Sequence, residues 1–156
     1  AKPYLSGYEL AKTQPDKKGR RKDRESQKTE VLFIERVWEF LEDDGKARAA
    51  IVLPDGVLYS STLDYVRNYM RDRFELLAVV SLPANAFAHY GTTVKASLVF
   101  LRKRAAGEQP SDDEITFMAA PSKVGYDATG HRTKNELPLV AAEYRRFLKN
   151  KKSYLP

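Results

Sequence analysis

The chain has 156 residues, 42% of them hydrophobic, enough for one core and few for two. It contains no cysteine and two histidines, which excludes disulfides and thiolate metal sites and argues against zinc. Lys and Arg outnumber Asp and Glu by 27 to 21, a formal charge of +6 that is compatible with a polyanionic partner without requiring one; with no apolar run of membrane-spanning length and no signal-like N-terminus, a soluble cytoplasmic protein with no membrane partner is expected.

The first 25 residues read as a basic flexible arm. In KKGRRKDR, the cations Lys17, Lys18, Arg20, Arg21, Lys22 and Arg24 meet a single acid, Asp23, and no residue is apolar. Such a segment cannot build a core. It is either a mobile arm over nucleic-acid phosphates, with affinity that falls as salt rises, or a solvated loop.

From residue 26 the pattern becomes regular. ESQKTEVLFIERVWEFLEDDG places Val31, Ile34, Trp38 and Leu41 at helical spacing, with Phe33, Val37 and Phe40 widening the stripe. Ser26 or Thr29 is expected to cap this helix and Gly45 to end it, and Trp38 reads as core. RAAIVLP is a continuous apolar run that suits a strand buried on both faces. STLDYVRNYMRDRF is a helix, with Ser60, Ser61 and Thr62 as caps, and LLAVVSLP a second buried strand, so the pair forms a βαβ unit.

Both runs stop at Leu-Pro, where the missing amide hydrogen ends a ladder. Asp55 in Pro-Asp-Gly reads as a turn former bonding a backbone amide two residues on rather than as a catalyst. The loops PDGVLYSS and PANAFAHYGTT leave the carboxyl edge of the sheet, where ligands bind in open α/β sheets. VKASLVFLRKR follows after ten residues, too few for a helical crossover, and is expected to run antiparallel. EITFMAA fits an edge strand, GYDATGHRTKNELP is rich in turn formers, and VAAEYRRFLKNKKSYLP reads as a basic helix with a frayed end, so residues 121–156 form a loop and a terminal helix.

Known chemical motifs are absent: there is no GxGxxG opening a helix, phosphate loop, nucleophile elbow or HExxH. GYDATG lacks a following helix and is a poor phosphate cradle. His89 and His131 lie in turn contexts without a fixed acid partner and read as ordinary loop histidines.

The succession from Gln27 to Arg104, with TEVLFIER, a strand to LPDG, a strand to SLP, an aromatic loop and SLVFL, resembles the N6-adenine DNA methyltransferase family, in particular type I modification subunits. FMAAPSKVGYDATGHRTKNELP is similar to the segment that follows the catalytic core there. The resemblance implies an α/β fold: part of a Rossmann-like S-adenosylmethionine-dependent methyltransferase sheet, with two parallel strands, one antiparallel strand and flanking helices, over residues 26–120.

It also implies S-adenosylmethionine as methyl donor of the complete enzyme, adenine N6 in double-stranded DNA as acceptor, and specificity and restriction subunits as partners in a bacterial or archaeal cytoplasm. The family's glycine-rich cofactor motif and its Asn-Pro-Pro-Phe or Tyr motif do not occur in this sequence. The chain therefore resembles the C-terminal half of such a domain, with no catalytic, cofactor-binding or metal residue of its own, and no donor binding or methyl transfer is expected of it alone. In the family, an aromatic residue before the antiparallel strand helps to hold the flipped base, which makes Phe87 and Tyr90 the candidates here, with Thr92 and Thr93 as nearby hydroxyls. Phe87 has packing as its alternative. A noncatalytic nucleic-acid-binding module, or a subunit-docking module that self-associates through an exposed strand edge, is the other reading.

Overall fold

The computed structural model describes residues 3–151. The periodic segments become α1 (Thr29–Phe40), β1 (Arg48–Pro54), the short α2 (Asp55–Tyr59), α3 (Asp64–Arg73), β2 (Phe74–Ser81), β3 (Ala96–Lys103), β4 (Phe117–Ala119), β5 (Val124–Tyr126), β6 (Arg132–Asn135) and α4 (Leu137–Lys149). The frayed end expected of the last helix lies beyond Lys151, outside the described residues.

The main sheet has the order β1-β3-β2-β4. β3 runs antiparallel to both of its neighbours, as the ten-residue link predicts, and β4 lies parallel to β2 at the edge. β1 and β2 thus point the same way, as in a βαβ unit, but β3 is inserted between them and they share no hydrogen bond. β5 and β6 form a separate antiparallel hairpin where turn-rich sequence suggested only a loop.

One face of the sheet carries the main core. Ile51 and Leu53 of β1 and Val99 and Leu101 of β3 pack with Val31 and Ile34 of α1 and Val66, Tyr69 and Met70 of α3. At roughly 25 cal/mol per Å² of apolar surface removed from water, such burial is the dominant stabilising term. α1 and α3 both contribute to this one face, so β1 is not buried on both: its burial alternates, and Val52 on the other face is 50% exposed. A second, smaller cluster of Leu82, Ala86 and Val124, with Phe87, Leu98, Tyr126 and Leu137 against it, joins the loop after β2 to the hairpin. α4 meets β4 through Phe117, whose ring centroid lies 5.3 Å from that of Tyr144 and 5.5 Å from that of Phe147.

Several local expectations change. Lys28, not Ser26 or Thr29, occupies the N-cap of α1, and no side chain caps it. The helix ends at Phe40, four residues before the Asp44-Gly45 turn, where Asp44 accepts from the amides of Lys46 and Ala47 and Gly45 takes φ +67. None of Ser60, Ser61 and Thr62 caps α3; Ser60 and Thr62 bond each other instead. Trp38 is half-buried against the core, with Lys103 Nζ 4.4 Å and the Arg73 guanidinium 5.6 Å from its ring centroid. The basic N-terminal segment does not stay clear of the core throughout its 25 residues. Leu5, Leu10 and Ala11 are buried, and the Glu35 carboxylate accepts from the amides of Glu9 and Leu10 at 2.7 and 2.8 Å.

Candidate functional site

Because β1 and β2 both oppose β3, their carboxyl ends and the start of β3 meet at one edge. A polar clasp holds them there. The Asp55 amide donates to the Lys95 carbonyl at 3.0 Å, and the Leu82 amide to the Ala96 carbonyl at 3.1 Å. Ser97 Oγ donates to Asp55 Oδ1 at 2.7 Å, while Lys95 Nζ lies 3.1 Å from Asp55 Oδ2 and donates to Ser81 Oγ at 2.9 Å. The Asp55 side chain is largely buried. Asp55 is thus not an acceptor from an amide two residues on: Pro54 ends the strand, α2 starts at once, and the carboxylate fastens the exit of β1 to the entry of β3. A charge-assisted contact of this kind contributes on the order of 1.5–3 kcal/mol.

The aromatic loop between β2 and β3 is built from successive tight turns. The Ala86 amide donates to the Pro83 carbonyl, Ala88 to Asn85, Tyr90 to Phe87 and Gly91 to Ala88, all within 2.9–3.1 Å. Gly91 closes this run at φ +84, a left-handed conformation that a side chain would strain. Phe87 points into the second cluster, whereas Tyr90 presents 73% of its surface to solvent. Packing therefore takes Phe87. Thr92 and Thr93 are exposed, and Thr92 Oγ1 accepts from the Val94 amide at 3.3 Å.

The β5–β6 hairpin supports this loop. The His89 ring lies 3.8 Å from that of Tyr90 and 4.4 Å from that of Tyr126, centroid to centroid. In the hairpin turn, Asp127 accepts from Thr129 Oγ1 and from the amides of Thr129 and His131. These bonds, the Thr129 hydroxyl first, lower the Asp127 pKa below the ordinary carboxylate range. The glycine-flanked turn thus spends its amides on its own carboxylate. Among the described residues no cluster of His, Cys, Asp or Glu could hold a metal.

The cations of the basic segment divide into two groups. Arg20 pairs with Asp16, Arg21 donates to the carbonyls of Thr13 and Glu9, and Arg24 donates to the Lys12 carbonyl with its guanidinium 4.6 Å from the Tyr65 ring centroid. The side chains of Lys17, Lys18 and Lys22 are exposed and make no ion pair among the described residues. This segment packs beside α1 and α3, and among the described residues no hydrogen bond or ion pair connects it to the aromatic loop. The sequence reading missed the clasp partners Ser81, Lys95 and Ser97 and the support from Tyr126. Nothing local marks them, since their roles arise from strands that are distant in sequence.

Comparison with known proteins adds an independent line. The family model described as N-6 DNA Methylase matches residues 2–152. Over 80 residues the chain is 32% identical to the type I restriction enzyme EcoEI methylase subunit of Escherichia coli, a match covering 51% of this chain and 16% of that protein. A solved structure from a study of complex assembly and conformational transition of the type I R-M system superposes with a TM-score of 0.58 at 26% identity, covering 83% of this chain and 25% of that one. A Listeria monocytogenes protein described as a class I S-adenosylmethionine-dependent methyltransferase shares the fold, with a TM-score of 0.59 at 18% identity over 94% of this chain and 36% of that one. The chain thus spans about a sixth of the curated relative it matches.

Proposed function

Because the chain belongs to the N-6 DNA methylase family, we propose that it is part of a type I modification subunit and contributes the target-base side of a site that methylates adenine N6 in double-stranded DNA. The observation that carries this reading is the exposed Tyr90 at the carboxyl edge of a methyltransferase-type sheet, on a loop braced by Phe87 and the hairpin. Base flipping needs an aromatic face beside the pocket, and stacking is worth about 1–3 kcal/mol per base whatever the base. Thr92 and Thr93 offer hydroxyls next to that face, and Lys17, Lys18 and Lys22 offer phosphate contacts, with Arg20, Arg21 and Arg24 giving the segment its shape.

The residues present do not fit the methyl donor. The glycines with positive φ, at 19, 45, 91, 107, 125 and 130, lie in turns or strands, and none opens a helix as a cofactor loop does. We therefore assign donor binding and methyl transfer to residues outside this chain, and specificity and restriction subunits to the partners of the whole protein. Among the described residues no helix is long and apolar enough to cross a membrane.

The free edge of β1 supports a docking role within the same reading. β1 pairs only with β3 among the described residues, and the half-exposed Val52 and the exposed Phe33 flank its open side. An unpaired edge of this kind takes a further strand or self-associates. Calorimetric titration of the chain with S-adenosylmethionine, with and without an adenine-containing duplex, tests the assignment. No heat from the donor in either case is expected; stoichiometric donor binding would overturn the partition of roles.

A further inference from the structure

Among the described residues, one buried side-chain polar atom has no hydrogen-bond partner: Nδ1 of His89. Folded proteins seldom leave such an atom unpaired. It lies in the loop that carries the stacking candidates, between the rings of Tyr90, tilted at 43°, and Tyr126, edge-on at 75°. Gly130 also stands against His89, where a Cβ would lie 3.7 Å from the His89 Cβ and 3.8 Å from its Cδ2. Of the two tyrosines, Tyr126 is fixed in β5 and in the second cluster. Tyr90 is not: most of its surface is already in solvent, and it is followed by Gly91 in a left-handed turn.

We propose that His89 is a base-binding residue: when Tyr90 rotates to stack on an extruded purine, Nδ1 is uncovered and donates its hydrogen to a ring nitrogen of that base. This rests on reading the loop as the target-base side of the site. Neither imidazole nitrogen is bonded to another described residue, so no protein partner fixes the tautomer, and Nδ1 is free to carry the proton. The pairing also explains why a hydrogen-bonding side chain occupies a place between two aromatic rings that phenylalanine would fill. Stacking alone is indifferent to base identity. A directed hydrogen bond to the edge of the stacked base makes the loop sensitive to which edge that base presents.

The test uses the chain labelled with 15N-histidine and observed by NMR during titration with adenosine 5′-monophosphate, with ribose 5-phosphate as the control that lacks a base. The nucleotide is expected to move the Tyr90 ring protons and the His89 15Nδ1 resonance together, and the control to move neither. His89→Phe keeps an aromatic ring in place and removes both nitrogens. It is expected to retain the Tyr90 shifts while weakening nucleotide binding about two- to tenfold, the worth of one neutral hydrogen bond. Tyr90 shifts with an unmoved Nδ1 and undiminished affinity in the variant would overturn the role of His89 and leave the stacking loop standing. No response from either ring would overturn both.

Discussion

Glu108 offers a sharp test of how the sheet is held at its opposite end. Its carboxylate accepts from Arg102 Nη2 at 2.5 Å, Arg102 Nη1 at 3.0 Å and the Ala105 amide at 2.9 Å. Arg102 in turn bonds Glu75 and the Gly45 carbonyl, so one guanidinium ties β2, β3 and two loops together. The bonds from Arg102 first, and from Ala105 second, bring the Glu108 pKa from an ordinary 4.5 to about 2. At 1.36 kcal/mol per pH unit this corresponds to about 3 kcal/mol as an upper bound. The side chain is 30% exposed, and solvent screening reduces the expected contribution to about 1–1.5 kcal/mol. The folded value lies below the unfolded one, so the stabilisation is complete above about pH 4.5 and is lost as the pH falls toward 2. Urea unfolding of the native chain and Glu108→Gln between pH 7 and 2.5 measures it directly. The two should differ by about 1–1.5 kcal/mol at pH 7 and converge at the acid end. A difference that persists unchanged at pH 2.5, or is absent at pH 7, would refute this account of the Arg102 hub.

Four further outcomes are expected. Tyr90→Ala should weaken single-stranded DNA binding, measured by fluorescence anisotropy, by the loss of about 1–3 kcal/mol of stacking while leaving the unfolding midpoint unchanged; Phe87→Ala should instead lower stability by about 1–3 kcal/mol, since its ring is partly buried. Asp55→Asn should cost about 1–2 kcal/mol in urea unfolding and increase hydrogen exchange at the amides of Asp55 and Leu82, because the contacts to Lys95 and Ser97 lose their charge. Replacing Lys17, Lys18 and Lys22 with Gln should reduce the slope of log affinity for duplex DNA against log salt by about 0.9 for each phosphate contact removed, and an unchanged slope would eliminate these residues as phosphate contacts.

Much of the sheet was legible because strand periodicity and connection length are local. The Leu-Pro exits marked the ends of β1 and β2, and ten residues before β3 forced an antiparallel return. What β3 does in the sheet, separating two strands joined by a helix, is a property of pairing and leaves no trace in either apolar run. The same limit applies to burial. IVL reads as doubly buried, yet Val52 is half exposed because α1 and α3 pack on the other face. At the site, Tyr90 beside Gly91 was visible from turn chemistry, whereas the Asp55–Lys95–Ser97 clasp depends on a register 42 residues long. The buried Leu5 and Leu10 were hidden by the charge run that follows them, since composition averaged over 25 residues obscures a short apolar anchor.

The insertion of β3 between β1 and β2 sets an order of events during synthesis. Every sheet hydrogen bond of β1 waits for residues 96–103, and until they leave the ribosome two apolar strands stand without a ladder partner. Helices α1 and α3 can form earlier from local contacts, but the surface that they are to cover does not yet exist. A pause between residues 81 and 96 would therefore prolong exposure of the segments best able to pair with a neighbouring chain. Synonymous codon changes over β3 are a sensitive place to alter the yield of folded protein without altering a single side chain.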